Sequence, residues 1–258
     1  MGLAIELDGL RALVTGSGQG VGLGIAKTLA AAGAEVVVND LSEERAAAAA
    51  DEIRTAGGKV ATAIFDVTRY DAVAAAIERV GGVDVLVNNA GNAGGVGWPG
   101  MKPFAETEPS DWEPFLRVNL YGVMHCVRAA LPHMIAMRYG RIVTIVSDAG
   151  RIGESHMGAY CAAKAGAAGL TRGIAREVGR HNVTVNNISL GTMRTPMSEG
   201  MWSNPDSPQA KALLKQYMIR RPGDPSDPAG LTAYLASPMA SWITGQTFPV
   251  NGGYSVGQ

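Results

Sequence analysis

Seven apolar, β-branched runs recur along the 258-residue chain and are separated by helical stretches. They are ALVTG (12–16), AEVVVND (34–40), KVATAIFDV (59–67), VDVLVNNAG (83–91), GRIVTIVS (140–147), VTVNNIS (183–189) and QTFPVNG (246–252). Their apolar residues are continuous rather than alternating, so both faces of each strand need cover. That pattern predicts an α/β fold: a doubly wound parallel sheet of about seven strands with helices on both faces. No internal repeat or linker divides the chain, so residues 1–258 are expected to form a single domain. A helix should run from Val21 to about Ala32. A second starts at Ser42 as N-cap and stops at Gly57 and Gly58. Arg45 stands where a capping box needs an acid or amide, so no box forms. A long helix is expected over 109–136, bent or interrupted at Pro132. The least regular region is 191–228.

Charge and composition exclude several functions. The net charge is −1, with no basic stripe or tail, which argues against a nucleic-acid partner. The N-terminus lacks the basic and long apolar parts of a secretory signal. No segment carries the ~18 apolar residues of a membrane span, so no membrane partner is expected. Cys126 and Cys161 are the only cysteines. Nothing suggests an oxidising compartment, and a soluble cytoplasmic protein is the expectation. His125, His133, His156 and His181 lack paired ligand spacing, so no metal is expected. A GxSxG signature around Ser147 is missing, which leaves a serine hydrolase unsupported.

The first strand runs into VTGSGQGVG (14–22), with Gly16, Gly20 and Gly22 opening the next helix and Ser17, Gln19 and Val21 between them. Glycines let the backbone approach a pyrophosphate, and the helix N-terminus offers free N–H groups and a positive dipole end. This makes the fold Rossmann-like and the turn a dinucleotide site, against the plainer reading of a glycine-rich turn. Asp40 ends the second strand, where a carboxylate can accept from both adenosine ribose hydroxyls. No Arg or Lys is expected to compensate it, since Gln19 and Leu41 are its evident neighbours. NAD is therefore the expected cofactor rather than NADP. The alternative is that Asp40 only caps the strand end.

GAYCAAKAG (158–166) places Tyr160 and Lys164 four residues apart, on one face of a helix. Their neighbours Ala162, Ala163 and Gly166 are small, which leaves room for a ligand. Oxidising an alcohol requires removal of a hydroxyl proton as hydride leaves carbon. A phenol near its ordinary pKa of about 10 holds that proton too tightly at neutral pH. A nearby ammonium is expected to lower it. A packed Tyr–Lys pair with no chemistry is the competing reading of this helix alone.

The glycine turn TGSGQGVG, NNAG at 88–91, VNLYG at 118–122, Ser147, YCAAK at 160–164 and VNGG at 250–253 occur in order. Together they resemble the short-chain dehydrogenase/reductase family over nearly the whole chain, and 3-oxoacyl reductases and hydroxyacyl-CoA dehydrogenases within it. The resemblance implies that Asn119, Ser147, Tyr160 and Lys164 form the catalytic set. Ser147 would bond the substrate oxygen, Lys164 the nicotinamide ribose, and Asn119 a relay water. Asn89, Ala90 and Gly91 would lie along the cofactor, Asp66 and Val67 beside the adenine, and Gly191 and Thr195 near the carboxamide. Two departures stand out: Leu190 replaces a common proline, and Asp148 occupies a position that is Ser or small in many relatives. The resemblance also implies a substrate lid at about 192–222 and a homotetramer. Met197, Met201, Trp202, Leu213, Leu214 and Met218 in the lid, with Trp98 and Met101, suggest an apolar substrate or apolar packing. An acyl-thioester ketone or alcohol leads, followed by a steroid-like or cyclic alcohol. Three readings stay open: an active alcohol dehydrogenase or ketoreductase, a same-fold dehydratase or epimerase, and a non-catalytic NAD-binding protein.

Overall fold

The computed structural model describes residues 4–91, 102–204 and 206–256. Seven strands form one sheet in the order β3-β2-β1-β4-β5-β6-β7. They are β1 (Arg11–Val14), β2 (Glu35–Asp40), β3 (Lys59–Ile64), β4 (Val85–Asn88), β5 (Gly140–Ser147), β6 (Val183–Leu190) and β7 (Thr247–Val250). Every pairing is parallel. Because both faces are covered, neighbouring residues of one strand enter opposite cores. Ala12 and Val14 pack with α1 (Gly20–Ala31), α2 (Glu43–Thr55) and α10 (Ala229–Ala236). Leu13 packs with α3 (Tyr70–Arg79), α5 (Gly122–Met137) and α7 (Gly158–Val178). Continuous apolar runs are what such two-sided burial requires.

The chain winds outward from β1 in both directions. Strand order reverses between β1 and β4, and the crevice beyond their C-terminal ends is where such sheets bind ligands. β1 stops at Val14 rather than Gly16 because Ser17 Oγ turns back to donate to Val14 O at 2.7 Å. Ser42 caps α2 as expected, its Oγ accepting from Arg45 N at 3.2 Å.

The helix expected over 109–136 is divided, and not at Pro132. α4 (Pro109–Leu116) passes into a π-helical turn at Arg117–Tyr121, and α5 then continues through Pro132 to Met137. Such turns widen the backbone spiral and occur often at functional sites. This one carries Asn119. The remaining short helices are α6 (Ala149–Ile152), α8 (Glu199–Trp202) and α9 (Pro208–Leu214), the last two within the expected lid.

Candidate active site

A cavity of about 820 Å³ opens at the C-terminal ends of the strands, with the glycine turn on one side. Gly16 has φ +62°, and a β-carbon there would lie 3.0 Å from Ala90 Cα. A β-carbon on Gly22 would lie 2.4 Å from Gly16 O. Only glycine allows this folding of the turn. Asn89 fastens it, its Nδ2 donating to Thr15 O and Gly16 O at 2.9 and 3.0 Å. Thr15 Oγ1 in turn accepts from the backbone N–H groups of Asn89 and Ala90, a role not foreseen for it. Gly16, Gln19, Gly20 and Val21 border the cavity. Ser17 and Gly22 do not, because the Ser17 hydroxyl points inward and Gly22 underlies the turn.

Asp66, Val67 and Leu41 border the same end. Asp66 accepts from Thr68 N at 2.8 Å, so its side chain also shapes its loop. Asp40 is 6% exposed and reaches the cavity, but its surroundings differ from expectation. Arg45 donates to Asp40 Oδ1 through Nε at 3.1 Å and Nη2 at 2.5 Å. Ser42 N adds a third bond at 2.9 Å. The expectation of an uncompensated carboxylate is therefore corrected: the first turn of α2 brings Arg45 back over the strand end. Oδ2 instead faces the glycine turn, 2.5 Å from where a β-carbon on Gly18 would be. The expected ribose acceptor is thus present as one oxygen beside a guanidinium.

Ser147, Tyr160 and Lys164 meet at the other end of the cavity. Ser147 ends β5, and its hydroxyl hydrogen-bonds the Tyr160 phenol. Lys164 is 6% exposed, and its Nζ donates to Ile145 O at 2.9 Å. A β-carbon on Gly91 would lie 2.8 Å from Asn119 Oδ1 and 3.3 Å from Lys164 Nζ, so these three groups converge. Asn119 is fully buried, and its Nδ2 donates to Phe115 O at 3.0 Å. Gly191 and Thr195 also reach the cavity, Thr195 packing 3.4 Å from the β-carbon position of Gly20. Leu190 pairs with both Ser147 and Val250, so β6 runs on to the site without the common proline.

The electrostatics correct a second expectation. Burial pushes the Tyr160 phenol up to about 12, against a lowering by the Ser147 hydrogen bond. Burial also brings Lys164 down to about 8. Its ammonium lies 5.8 Å from the Tyr160 ring centroid. Loss of solvation therefore outweighs the expected attraction in the protein without ligand.

Residues 16–255 match the family described as Enoyl-(Acyl carrier protein) reductase. The 3-oxoacyl-(acyl-carrier-protein) reductase of Vibrio cholerae is 38% identical over 250 residues, covering 96% of this chain and 98% of that protein. The chain belongs to the short-chain dehydrogenase/reductase family. The 7alpha-hydroxysteroid dehydrogenase of Escherichia coli K12 is 37% identical over 253 residues, covering 96% of this short-chain dehydrogenase and 95% of that one. A gluconate 5-dehydrogenase from Burkholderia cenocepacia, solved in complex with NADP and tartrate, superposes with a TM-score of 0.88. It is 36% identical, with 98% of each chain covered. As a member of this family, the chain is an oxidoreductase acting on an alcohol or ketone and using a nicotinamide cofactor.

Within the lid, Met197, Met201 and Leu213 border the cavity, whereas Trp202 is buried and, like Leu214 and Met218, does not line it. Trp98 and Met101 lie outside the described residues. Tyr217 and Tyr254, which the sequence did not single out, stack with centroids 4.9 Å apart and form a wall of the cavity. Tyr217 is held by Thr192, donating to its Oγ1 at 2.9 Å and accepting from its N–H at 2.7 Å. No three-residue cluster of His, Cys, Asp or Glu that could hold a metal occurs among the described residues. Among them, no helix is long and apolar enough to cross a membrane.

Proposed function

We propose that this protein is an NAD-dependent oxidoreductase that interconverts a secondary alcohol and a ketone. The convergence of Ser147, Tyr160 and Lys164 at one end of a cavity begun by the glycine turn carries this reading. The cavity suits a dinucleotide: β-carbons at Gly16, Gly18 and Gly22 would crowd their neighbours, and Asp40 Oδ2 faces the turn from the proposed adenosine end. Gly16, Gln19, Gly20 and Val21 would receive the pyrophosphate on the α1 N-terminus. Asp40, Leu41, Asp66 and Val67 would flank the adenosine. Asn89, Ala90, Gly91, Gly191 and Thr195 would border the nicotinamide half, with Ser17 and Gly22 supporting the turn from behind. A nicotinamide cofactor held there would supply the hydride acceptor for oxidation and the hydride donor for reduction.

The chain's own groups handle the proton and the charge. Tyr160 takes the hydroxyl proton from the alcohol, or returns it to the ketone oxygen. Ser147 donates to the same oxygen and steadies the charge that develops there. Lys164 holds the ribose and, when protonated, favours the phenolate. Asn119 lies beside Lys164 and would order a water that passes the proton onward.

A 3-oxoacyl or 3-hydroxyacyl thioester is the leading substrate, supported by the apolar Met197, Met201 and Leu213 lining. A steroid-like or cyclic alcohol is the second reading, favoured by the stacked Tyr217–Tyr254 wall. The four site residues are all retained, which favours an active enzyme over a non-catalytic NAD-binding protein. The protein is further proposed to be a cytoplasmic homotetramer. A panel of secondary alcohols and 3-hydroxyacyl thioesters, with reduced-nicotinamide absorbance as readout, tests the reading. Turnover with NAD supports it. Absence of turnover by a protein that binds NAD would favour the non-catalytic alternative.

A further inference from the structure

Asp148 follows Ser147 directly, and the chemistry above leaves its carboxylate unused. It is 1% exposed. Oδ1 accepts from Ser189 Oγ at 2.6 Å and Arg151 Nη1 at 3.1 Å. Oδ2 accepts from Asn251 Nδ2 at 2.5 Å and Ser255 Oγ at 2.7 Å. Arg151 also donates to Ser255 Oγ, at 3.0 Å. One buried carboxylate thus joins the end of β5, the end of β6 and the C-terminal segment 251–255. Tyr254 lies between the two anchored residues of that segment. It stacks on Tyr217, and its hydroxyl donates to Glu154 Oε2 at 2.9 Å. Both tyrosines and Asp148 border the cavity that holds Ser147 and Tyr160.

We propose that Asp148 is a positioning residue for substrate: it fastens segment 251–255 to the strand bearing Ser147 and so sets Tyr254 and Tyr217 as the far wall of the substrate site. A buried carboxyl group is costly to leave without its hydrogen-bond donors. Asp148 therefore penalises any arrangement in which Asn251 and Ser255 withdraw. A Ser or small residue at 148 would leave the segment held by weaker, neutral bonds.

The proposal rests on the alcohol/ketone reading above and is tested by a double-mutant cycle of Asp148→Asn and Tyr254→Ala. The probe is the best secondary alcohol from the panel, with saturating NAD. Asp148→Asn should raise KM about tenfold while changing kcat less than about threefold. NADH affinity should stay within about twofold, because the nucleotide end is untouched. Amides of 252–255 should exchange about tenfold faster. In the Tyr254→Ala background the same change should alter KM by less than about twofold, since the wall it positions is gone. Multiplying KM effects, or a lower kcat at unchanged KM, would overturn the proposal. If Asp148→Asn does not fold, Asn251→Ala and Ser255→Ala each remove one donor and enter the same cycle, with KM effects of about threefold expected. A wild-type protein that turns over no alcohol overturns the functional reading itself. An active wild type with independent effects overturns only the role of Asp148.

Discussion

If Asp40 faces the adenosine ribose as proposed, cofactor choice should follow the Asp40–Arg45 pair, and replacing either partner should change it in a defined direction. In the unmodified protein, Asp40 Oδ2 faces the glycine turn and can accept from the adenosine 2′-hydroxyl. A charge-assisted hydrogen bond of that kind contributes about 1.5–3 kcal/mol. At ~1.4 kcal/mol per tenfold, Asp40→Ala should lower kcat/KM for NAD roughly ten- to hundredfold. The same substitution releases Arg45 from its two bonds to Oδ1. Arg45 borders the cavity and its side chain is 45% exposed, so it is available to a 2′-phosphate but screened by solvent. An exposed ion pair is worth ~1 kcal/mol or less, so NADP use should rise by at most about fivefold. Arg45→Ala should do the reverse. It leaves Asp40 uncompensated, lowers kcat/KM for NADP severalfold and leaves NAD within about twofold. The assay is kcat/KM for both cofactors, with one substrate, across wild type, the single variants and the double variant. The gain in NADP use should vanish in the double variant. A cofactor ratio unchanged by Arg45→Ala, or by Asp40→Ala, would refute this assignment of the pair.

Other expectations follow from the burial of the site. Lys164→Met should lower turnover yet leave the ligand-free protein at least as stable at pH 7, because a buried ammonium is removed. A fall from 10.5 to about 8 represents a penalty on the order of 3 kcal/mol. That penalty is full below pH 8 and relieved between pH 8 and 10.5, so thermal melts should show the variant's advantage shrinking across that window. A variant less stable at pH 7 than at pH 10, relative to wild type, would contradict the sign. Ser147→Ala should lower kcat by about 10²–10³ and move any alkaline rise in oxidation upward, since the hydrogen bond that lowers the Tyr160 pKa is lost. An unmoved profile would separate Ser147 from Tyr160. Light scattering at micromolar concentration should report four copies of the 26.8 kDa chain, and a monomer would refute the proposed assembly.

Much of this architecture was legible because local sequence and global fold agree. The continuous apolar runs identified all seven strands, and the glycine turn marked the cavity edge. The short spacing from Tyr160 to Lys164 on one helix, with Ser147 just upstream, located the other end. What could not be read depends on folding at longer range. Arg45 appeared only as a residue that breaks a capping box, and its approach to Asp40 needs the actual turn between β2 and α2. The π-helical turn around Asn119 has no marker such as Pro132, whose proline α5 accommodates. Asp148 binds Ser189, Asn251 and Ser255, which lie 41, 103 and 107 residues away. The Tyr160 phenol looked governed by a neighbouring charge, but its depth in the protein has the larger effect.

The most direct test of the central claim is Tyr160→Phe, measured for both turnover and NADH binding. The substitution removes the phenolic hydroxyl and keeps the ring, which sits edge-on to Phe115 with centroids 6.1 Å apart. Turnover should fall by at least about 10²–10⁴, the usual share of a general acid–base group, while NADH affinity stays within about twofold. Substantial remaining activity in a folded, NADH-binding variant would contradict the account, because the proton would then be moving through another group.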